Sequence, residues 1–188
     1  MTMLIIGLIA FLGIHALPRM TTTRAAIVAR WTEKTYKKAF ALVSLAGLIL
    51  IVVGYALADP GPRLFAPSAS AIKIAPYAMV LAFILLAAAN MRGHTRHLLK
   101  HPMLLAIILW SVVHLLANGD MRGTVLFGGF LAYALVDLTS TMGRGTVKVM
   151  VPNVRFDVIA VVAGVVVALV VMTFHRLLFG VKVAPFGL

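Results

Sequence analysis

The sequence contains no cysteine and only five acidic residues among its 188 residues. The absence of cysteine excludes disulfides, thiolate metal ligands and cysteine nucleophiles. Charged residues make up 12% of the chain and hydrophobic residues 62%, whereas a soluble globular domain is about 25% charged and roughly 45–50% apolar. These shortages exclude a water-soluble domain, a disordered chain and a disulfide scaffold, and they indicate a protein embedded in a membrane.

Six apolar runs are long enough, or nearly long enough, to cross a bilayer as helices, which takes about 20 residues. They cover residues 3–17, 39–58, 72–91, 103–117, 124–142 and 158–179. The runs are continuously apolar, whereas a membrane β-barrel needs alternating apolar and polar residues. The eight prolines fall at or near their ends, where a missing backbone N–H costs least. The sequence therefore predicts an all-α polytopic transmembrane helix bundle of about six helices, forming one membrane domain over residues 1–188.

The basic residues are unevenly distributed between the connections of these spans. Twelve of the 17 lie after the first, third and fifth spans: Arg19, Arg24, Arg30, Lys34, Lys37, Lys38, Arg92, Arg96, Lys100, Arg144, Lys148 and Arg155. The other five are Arg63, Lys73, Arg122, Arg176 and Lys182. The positive-inside rule puts the larger set in the cytoplasm, so both termini face outward. The net charge of +12 then reflects topology and anionic lipid rather than nucleic-acid binding.

The connection after the first span, residues 21–38, predicts a short amphipathic helix. Ile27 and Trp31 are one helical turn apart, and Glu33 and Lys37 have the spacing of a favourable pair. Such a helix lies on the surface of the inner leaflet. The simpler interpretation is an anchor that fixes the topology, and the alternative is a lipid sensor.

Histidine is the residue type that can carry chemistry here, because the few carboxylates are scattered and form no catalytic pair. His114 lies within the fourth span and His15 near the end of the first. An imidazole in a membrane needs hydrogen-bond partners, and it is also a common axial ligand of haem iron. Both interpretations remain open for each residue.

A second group of histidines lies between the third and fourth spans. His94, His97 and His101 have the spacing i, i+3, i+7, which would put all three on one face of a helix. Such a stripe is either a metal site or a solvated basic connector, since three basic residues alternate with it. His175, near the outer end of the last span, is predicted to be an interfacial residue.

Two segments of the chain carry a more specific pattern, residues 97–103 (HLLKHPM) and residues 110–120 (WSVVHLLANGD). Ile14-His15 and Phe127-Gly128 fit the same pattern. Together they resemble the NnrU family of membrane proteins, which is associated with bacterial denitrification and nitric oxide metabolism. The resemblance spans most of the chain and implies a multi-pass protein of the bacterial inner membrane.

The same family includes relatives of the plant zeta-carotene isomerase, which isomerises a double bond with a histidine-ligated haem b. The resemblance implies haem b with His15 and His114 as axial ligands, and nitric oxide or a hydrophobic polyene as its ligand. Where the isomerase has a cysteine three residues before its second histidine, this chain has Ser111. Depth favours another pairing, because His114 lies about 18 Å beyond Pro102 at about 1.5 Å per residue. By that argument, His97 or His101 would pair with His15 near the cytoplasmic edge.

Two further hypotheses remain. His101-Pro102 resembles the RHP motif of membrane methyltransferases of the isoprenylcysteine carboxyl methyltransferase type, in which the histidine helps to bind S-adenosylmethionine. Here Lys100 replaces the arginine, and no glutamate follows Glu33. The other hypothesis is a non-catalytic membrane subunit or assembly factor with a protein partner. The sequence leaves open whether the protein is an enzyme.

Overall fold

The computed structural model describes residues 1–144, 151–181 and 183. Within these ranges the secondary structure is helical, apart from an isolated bridge between Arg63 and Asp120. Lys148, Lys182 and Pro185 lie outside the described residues. The all-α prediction is confirmed for the described part of the chain.

Eight α-helices make up most of the described chain. They are α1 (Thr2–Ala16), α2 (Thr21–Trp31), α3 (Glu33–Leu57), α4 (Ala69–Ala88), α5 (His94–Leu99), α6 (Pro102–Asn118), α7 (Met121–Arg144) and α8 (Val154–Phe179). A short 3-10 helix, Leu17–Arg19, extends α1. Five helices among the described residues are long and apolar enough to cross a membrane, namely α1 with its extension, α3, α4, α7 and α8. The shorter α6, with 17 residues, is also apolar, so these six helices correspond to the six predicted runs.

Helices α3 and α4 begin before the apolar runs that predict them. α3 begins at Glu33 and α4 at Ala69, whereas the runs begin at residues 39 and 72. Each start is fixed by a capping side chain: the Thr32 hydroxyl accepts from the backbone N–H three residues later at 3.4 Å, and Ser68 does the same at 3.3 Å. Capping, rather than hydropathy, therefore sets these helix ends.

The contacts divide the chain into two compact units, Met1–Pro62 and Arg63–Leu188. The first unit holds α1 to α3 and the second holds α4 to α8. The interpretation of the whole chain as one membrane domain stays a prediction.

In the first unit, α1 and α3 pack against each other and run in opposite directions. Gly7 of α1 lies against Ile51, and Gly54 of α3 lies against Leu4. A Cβ at Gly54 would come 2.5 Å from the backbone nitrogen of Leu4, which is closer than real side chains approach. The glycines therefore permit a close approach of two apolar helices, as small residues commonly do in membranes.

A sharp turn at Thr32 separates α2 from α3. Thr32 has φ +80°, a left-handed value that is rare for a β-branched residue. Arg24 of α2 spans the turn and donates to both carboxylate oxygens of Glu33, at 2.8 and 2.9 Å. The single amphipathic helix predicted over residues 21–38 is therefore divided in two. Its first part is the separate helix α2, and its second part is the beginning of the apolar helix α3.

In the second unit, α4 packs against both α6 and α8, and α6 also packs against α7. The contact of α4 with α8 is close at Gly164, where a Cβ would come 2.5 Å from the backbone nitrogen of Ile84. Helix α6, which carries His114, is therefore in contact with apolar helices α4 and α7.

Candidate functional site

His114 lies in the last two turns of α6, and its ring is half-buried. Its Nδ1 is 2.9 Å from the backbone carbonyl oxygen of Trp110. A carbonyl oxygen only accepts hydrogen bonds, so Nδ1 carries the proton and the lone pair of the neutral ring is on Nε2. The ring contacts two aromatic side chains that also contact each other, with centroids 5.4 Å from Trp110 and 4.9 Å from Phe127.

Ser111 lies one turn before His114 on the same side of α6. The residue is completely buried, and its hydroxyl has no hydrogen-bond partner among the described residues. A buried hydroxyl normally finds a partner, because leaving it unsatisfied is costly. Ser111 therefore adds a buried hydroxyl, without a partner among the described residues, one helical turn before His114.

An apolar crevice of about 130 Å³ lies between α4 and α6. Its walls are Ala82, Phe83, Leu86, Ala106, Ile107 and Trp110. Trp110 belongs both to the crevice and to the surroundings of His114, one turn further along α6. The crevice is comparable to an engineered apolar cavity of about 150 Å³ that binds benzene, so it can take an apolar group of ring size.

The Asn-Gly-Asp segment after His114 forms the turn between α6 and α7. The Asn118 side chain donates to the backbone carbonyl of His114 at 2.6 Å, and Asp120 accepts from the backbone N–H of Gly123 at 2.7 Å. Gly119 has φ +76°, and a Cβ there would collide with the backbone oxygen of Phe65. These three residues therefore have structural roles, and the chemistry of residues 110–120 is concentrated in the segment up to His114.

His15 lies at the end of α1 with an arrangement similar to that of His114. Its Nδ1 is 2.7 Å from the backbone carbonyl oxygen of Phe11, which again puts the proton on Nδ1 and the lone pair on Nε2. The ring centroid lies 4.3 Å from Phe11 and 5.1 Å from Phe40 of α3. Both histidines thus bond to the carbonyl of an aromatic residue four positions earlier and contact a second aromatic ring from a neighbouring helix.

The shared feature is visible in the sequence as an aromatic residue followed by histidine four positions later. It could have indicated that His15 and His114 have a common geometry. His15 belongs to the first unit and His114 to the second, so their pairing on one iron stays a prediction.

The predicted stripe of three histidines is wrong as a single helical face. Helix α5 covers only His94–Leu99, and Lys100 follows with φ +60°. This turn breaks the helix before His101, which instead precedes Pro102 at the start of α6. The described residues contain no group of three or more histidine, aspartate or glutamate side chains placed to hold a metal ion. Cofactor binding by His97 or His101 stays a prediction, as does methyl transfer.

Asp157, at the start of α8, is a residue whose role the sequence did not reveal. One carboxylate oxygen accepts from the backbone N–H of His94 at 2.8 Å and contacts its Nδ1 at 2.9 Å. The other accepts from the backbone N–H and the hydroxyl of Thr95, at 2.9 and 2.8 Å. With four hydrogen bonds to His94 and Thr95, Asp157 fixes the start of α5 and has a structural role.

His175, near the end of α8, bonds differently from His15 and His114. Its Nδ1 lies 2.8 Å from the carbonyl oxygen of Val181, beyond the end of the helix. Because its Nδ1 also bonds to a backbone carbonyl, His175 is the natural comparison residue for tests of the His114 site.

One comparison with known proteins gives a match. A family model described as NnrU protein matches residues 3–183 of this chain. No curated protein matches the chain, and no solved structure matches it. The matched range includes both His15 and His114, and it covers nearly the whole chain.

Proposed function

The chain belongs to the NnrU family, and on that premise we propose that it binds haem b in the bacterial inner membrane and acts in nitric oxide metabolism linked to denitrification. The apolar helices α1, α3, α4, α7 and α8 support a membrane location. The proposed axial ligands are His15 and His114. The cytoplasmic orientation of the basic connections is part of the same proposal.

The observation that carries the proposal is the hydrogen bonding of the two histidines. In each, Nδ1 donates to a backbone carbonyl, at 2.7 Å for His15 and 2.9 Å for His114. Histidines that ligate metals almost always donate the other ring N–H to a carbonyl, carboxylate or water, because this fixes the tautomer and makes the ligating nitrogen more basic. Both rings are therefore prepared to bind iron through Nε2.

The residues around His114 also fit a flat, mostly apolar prosthetic group. Trp110 and Phe127, which contact each other, provide aromatic surface beside the imidazole. The unpartnered hydroxyl of Ser111 provides a polar group on the same side of α6. His114 would be one ligand of the iron, and these neighbours would exclude water from that ligand.

Bound haem would supply redox-active iron, and a diatomic molecule such as nitric oxide would bind it in place of one exchangeable histidine ligand. The protein's own contribution is to orient the imidazoles through the carbonyls of Phe11 and Trp110. Ser111, one turn before His114 on α6, would donate a hydrogen bond to a polar atom at the site. Because the chain has no cysteine, a thiolate cannot replace either histidine.

The crevice beside Trp110 favours a second form of the proposal, in which the ligand is a hydrophobic polyene and the protein is an isomerase. Its walls are entirely apolar side chains, and its volume of about 130 Å³ suits one ring-sized or branched apolar group. A long polyene would enter the crevice with one end only.

The test is the haem b content per chain of protein purified in detergent after expression with ample haem. We expect a stoichiometric content in the wild type, and loss of haem in His15→Ala and in His114→Ala. His175→Ala is the matched control, because its Nδ1 also bonds to a carbonyl, and it should retain haem. A haem-free wild type would contradict the proposal. Loss of haem in His97→Ala or His101→Ala, but not in His114→Ala, would reassign the ligands.

A further inference from the structure

The segment that joins α1 to the first turns of α3 is strongly basic. Residues 19–38 contain six lysines and arginines, and the one acidic residue there is Glu33. Glu33 is already engaged, since it accepts from Arg24 at 2.8 and 2.9 Å and contacts Lys37 at 3.4 Å. No carboxylate in this segment is left to balance its remaining positive charge.

Three of these basic residues, Arg30, Lys34 and Lys38, form what we call the basic collar. All three are exposed, and none has an ion pair with any described residue. Lys34 and Lys38 are four residues apart on α3, so two like charges are neighbours on one helix face. They also lie in the first two turns of α3, where the helix dipole disfavours positive charge. An external anion would relieve both repulsions.

The same face of α3 becomes aliphatic immediately after the lysines. Leu42, Leu45 and Ile49 continue it at helical spacing, with exposed fractions of 68%, 55% and 53%. In a membrane-spanning helix, an exposed aliphatic stripe faces lipid acyl chains. Lysines at the end of that stripe therefore lie at the level of the headgroups. Trp31, 52% exposed, lies just before α3, and tryptophan is enriched at this level of a membrane.

We propose that the basic collar binds the phosphate headgroups of anionic phospholipids. The charge of the collar is complementary to such headgroups, and the aliphatic stripe below it accommodates their acyl chains. A nucleic acid or an acidic peptide would match the charge alone. The bidentate pair between Arg24 and Glu33 has a supporting role, because it holds α2 against the start of α3 and so keeps Arg30 near the membrane surface. This proposal is independent of haem binding.

The test uses the full-length protein reconstituted into bilayers that mix phosphatidylcholine with phosphatidylglycerol. The quantity measured is the enrichment of phosphatidylglycerol among the lipids that remain bound after extraction, relative to the bulk bilayer. We expect enrichment in the wild type and its loss in the double variant Lys34→Gln/Lys38→Gln. The expected reduction in relative affinity is about fivefold for each lysine, which corresponds to about 1 kcal/mol per cation near an anionic surface.

The matched control is Lys73→Gln. Lys73 is also exposed on an apolar helix, α4, and Tyr77 and Leu81 continue its exposed face. This variant should lower the relative affinity at most about fivefold, against about 25-fold for the double variant, because it removes one cation and not two. The charge-preserving variant Lys34→Arg/Lys38→Arg should restore enrichment, which separates loss of charge from loss of fold.

Unchanged enrichment in Lys34→Gln/Lys38→Gln would overturn the proposal, as would an equal loss in Lys73→Gln. A wild type that binds an oligonucleotide through the collar but shows no lipid preference would assign the surface to a different polyanion, and this result would also overturn it. Raised salt should weaken the enrichment, since screening shortens the reach of exposed charges.

Discussion

Histidines in the apolar helices and the histidine at the start of α5 are held in different ways. We call His15 and His114 the span histidines and His94 the connector histidine. Each span histidine bonds to the carbonyl of its own helix four residues earlier. The connector histidine bonds to Asp157, a carboxylate 63 residues away. An apolar helix offers an imidazole little besides its own backbone, whereas a connector can recruit a charged partner from elsewhere in the fold.

The two ways of holding a histidine suit different roles, ligand binding for the span histidines and local structure for the connector histidine. A carbonyl that accepts from Nδ1 fixes the tautomer of a neutral imidazole and so puts the lone pair on Nε2, which is what a metal ligand requires. A carboxylate that bonds to the ring and to the backbone N–H of the same residue fixes the position of a helix. We therefore expect changes at the span histidines to affect ligand binding, and changes at the connector to affect local structure.

The largest structural effect is expected for Asp157→Ala. The variant removes the acceptor of four hydrogen bonds from His94 and Thr95 at once. Hydrogen exchange should show that the amides of α5 lose protection, while those of α6 near His114 keep it. Asp59→Ala is the control, because Asp59 is exposed and accepts from the backbone N–H of Gly61 within its own turn. If the α5 amides stay protected in Asp157→Ala, the hydrogen bonds of Asp157 are not needed to hold α5 in place.

The next largest effect is expected for Gly119→Ala, at the turn that follows the span histidine His114. A left-handed conformation costs a non-glycine residue roughly 1–2 kcal/mol, and a Cβ here would also collide with the oxygen of Phe65. We expect a lower thermal unfolding midpoint for the purified protein. Gly128→Ala is the matched control, because a Cβ there meets no described atom within 4 Å, and alanine is favoured over glycine in a helix by about 0.5–1 kcal/mol. Equal midpoints for the two variants would contradict the assignment of the turn.

A smaller effect is expected for Asn118→Ala, which removes the hydrogen bond to the carbonyl of His114. A single hydrogen bond contributes about 0.5–1.5 kcal/mol to stability, so the unfolding midpoint should fall slightly. Haem content should be unchanged, because the bond involves the His114 backbone and not its ring. Loss of haem in this variant would give Asn118 a role beyond ending the helix.

The smallest effect on stability is expected for Ser111→Ala. The hydroxyl is buried without a partner among the described residues, so its removal should leave the unfolding midpoint unchanged or raise it slightly. We expect a change in the absorption spectrum of the nitric oxide complex instead, because Ser111 is proposed to bond to a polar atom at the site. An unchanged spectrum would restrict Ser111 to a packing role.

The apolar helices and the span histidines could be predicted because their signals are local. Continuous apolar runs mark the six helices, and a lone histidine within such a run is conspicuous in the sequence. The carbonyl bonds of His15 and His114 are also local, since each acceptor lies four residues earlier on the same helix.

The connector could not be predicted, because its structure depends on a distant partner. The bond between His94 and Asp157 follows from the packing of α8 beside α5, which local spacing does not encode. A shared face for His94, His97 and His101 would have required one helix through His101, but α5 ends at Leu99 because Lys100 adopts a left-handed conformation. The turn at Thr32 was missed for a similar reason, as nothing in the sequence marks a threonine for φ +80°.

We infer that the span histidines, and not the connector histidine, are the ones prepared to bind iron. The most direct measurement is the absorption spectrum of the detergent-purified protein, oxidised and then reduced with dithionite, for the wild type, His114→Ala and His94→Ala. We predict a Soret band and a reduced α-band in the wild type and in His94→Ala, and the loss of both bands in His114→Ala. A featureless wild-type spectrum with ample haem, or bands that persist in His114→Ala and disappear in His94→Ala, would contradict the claim.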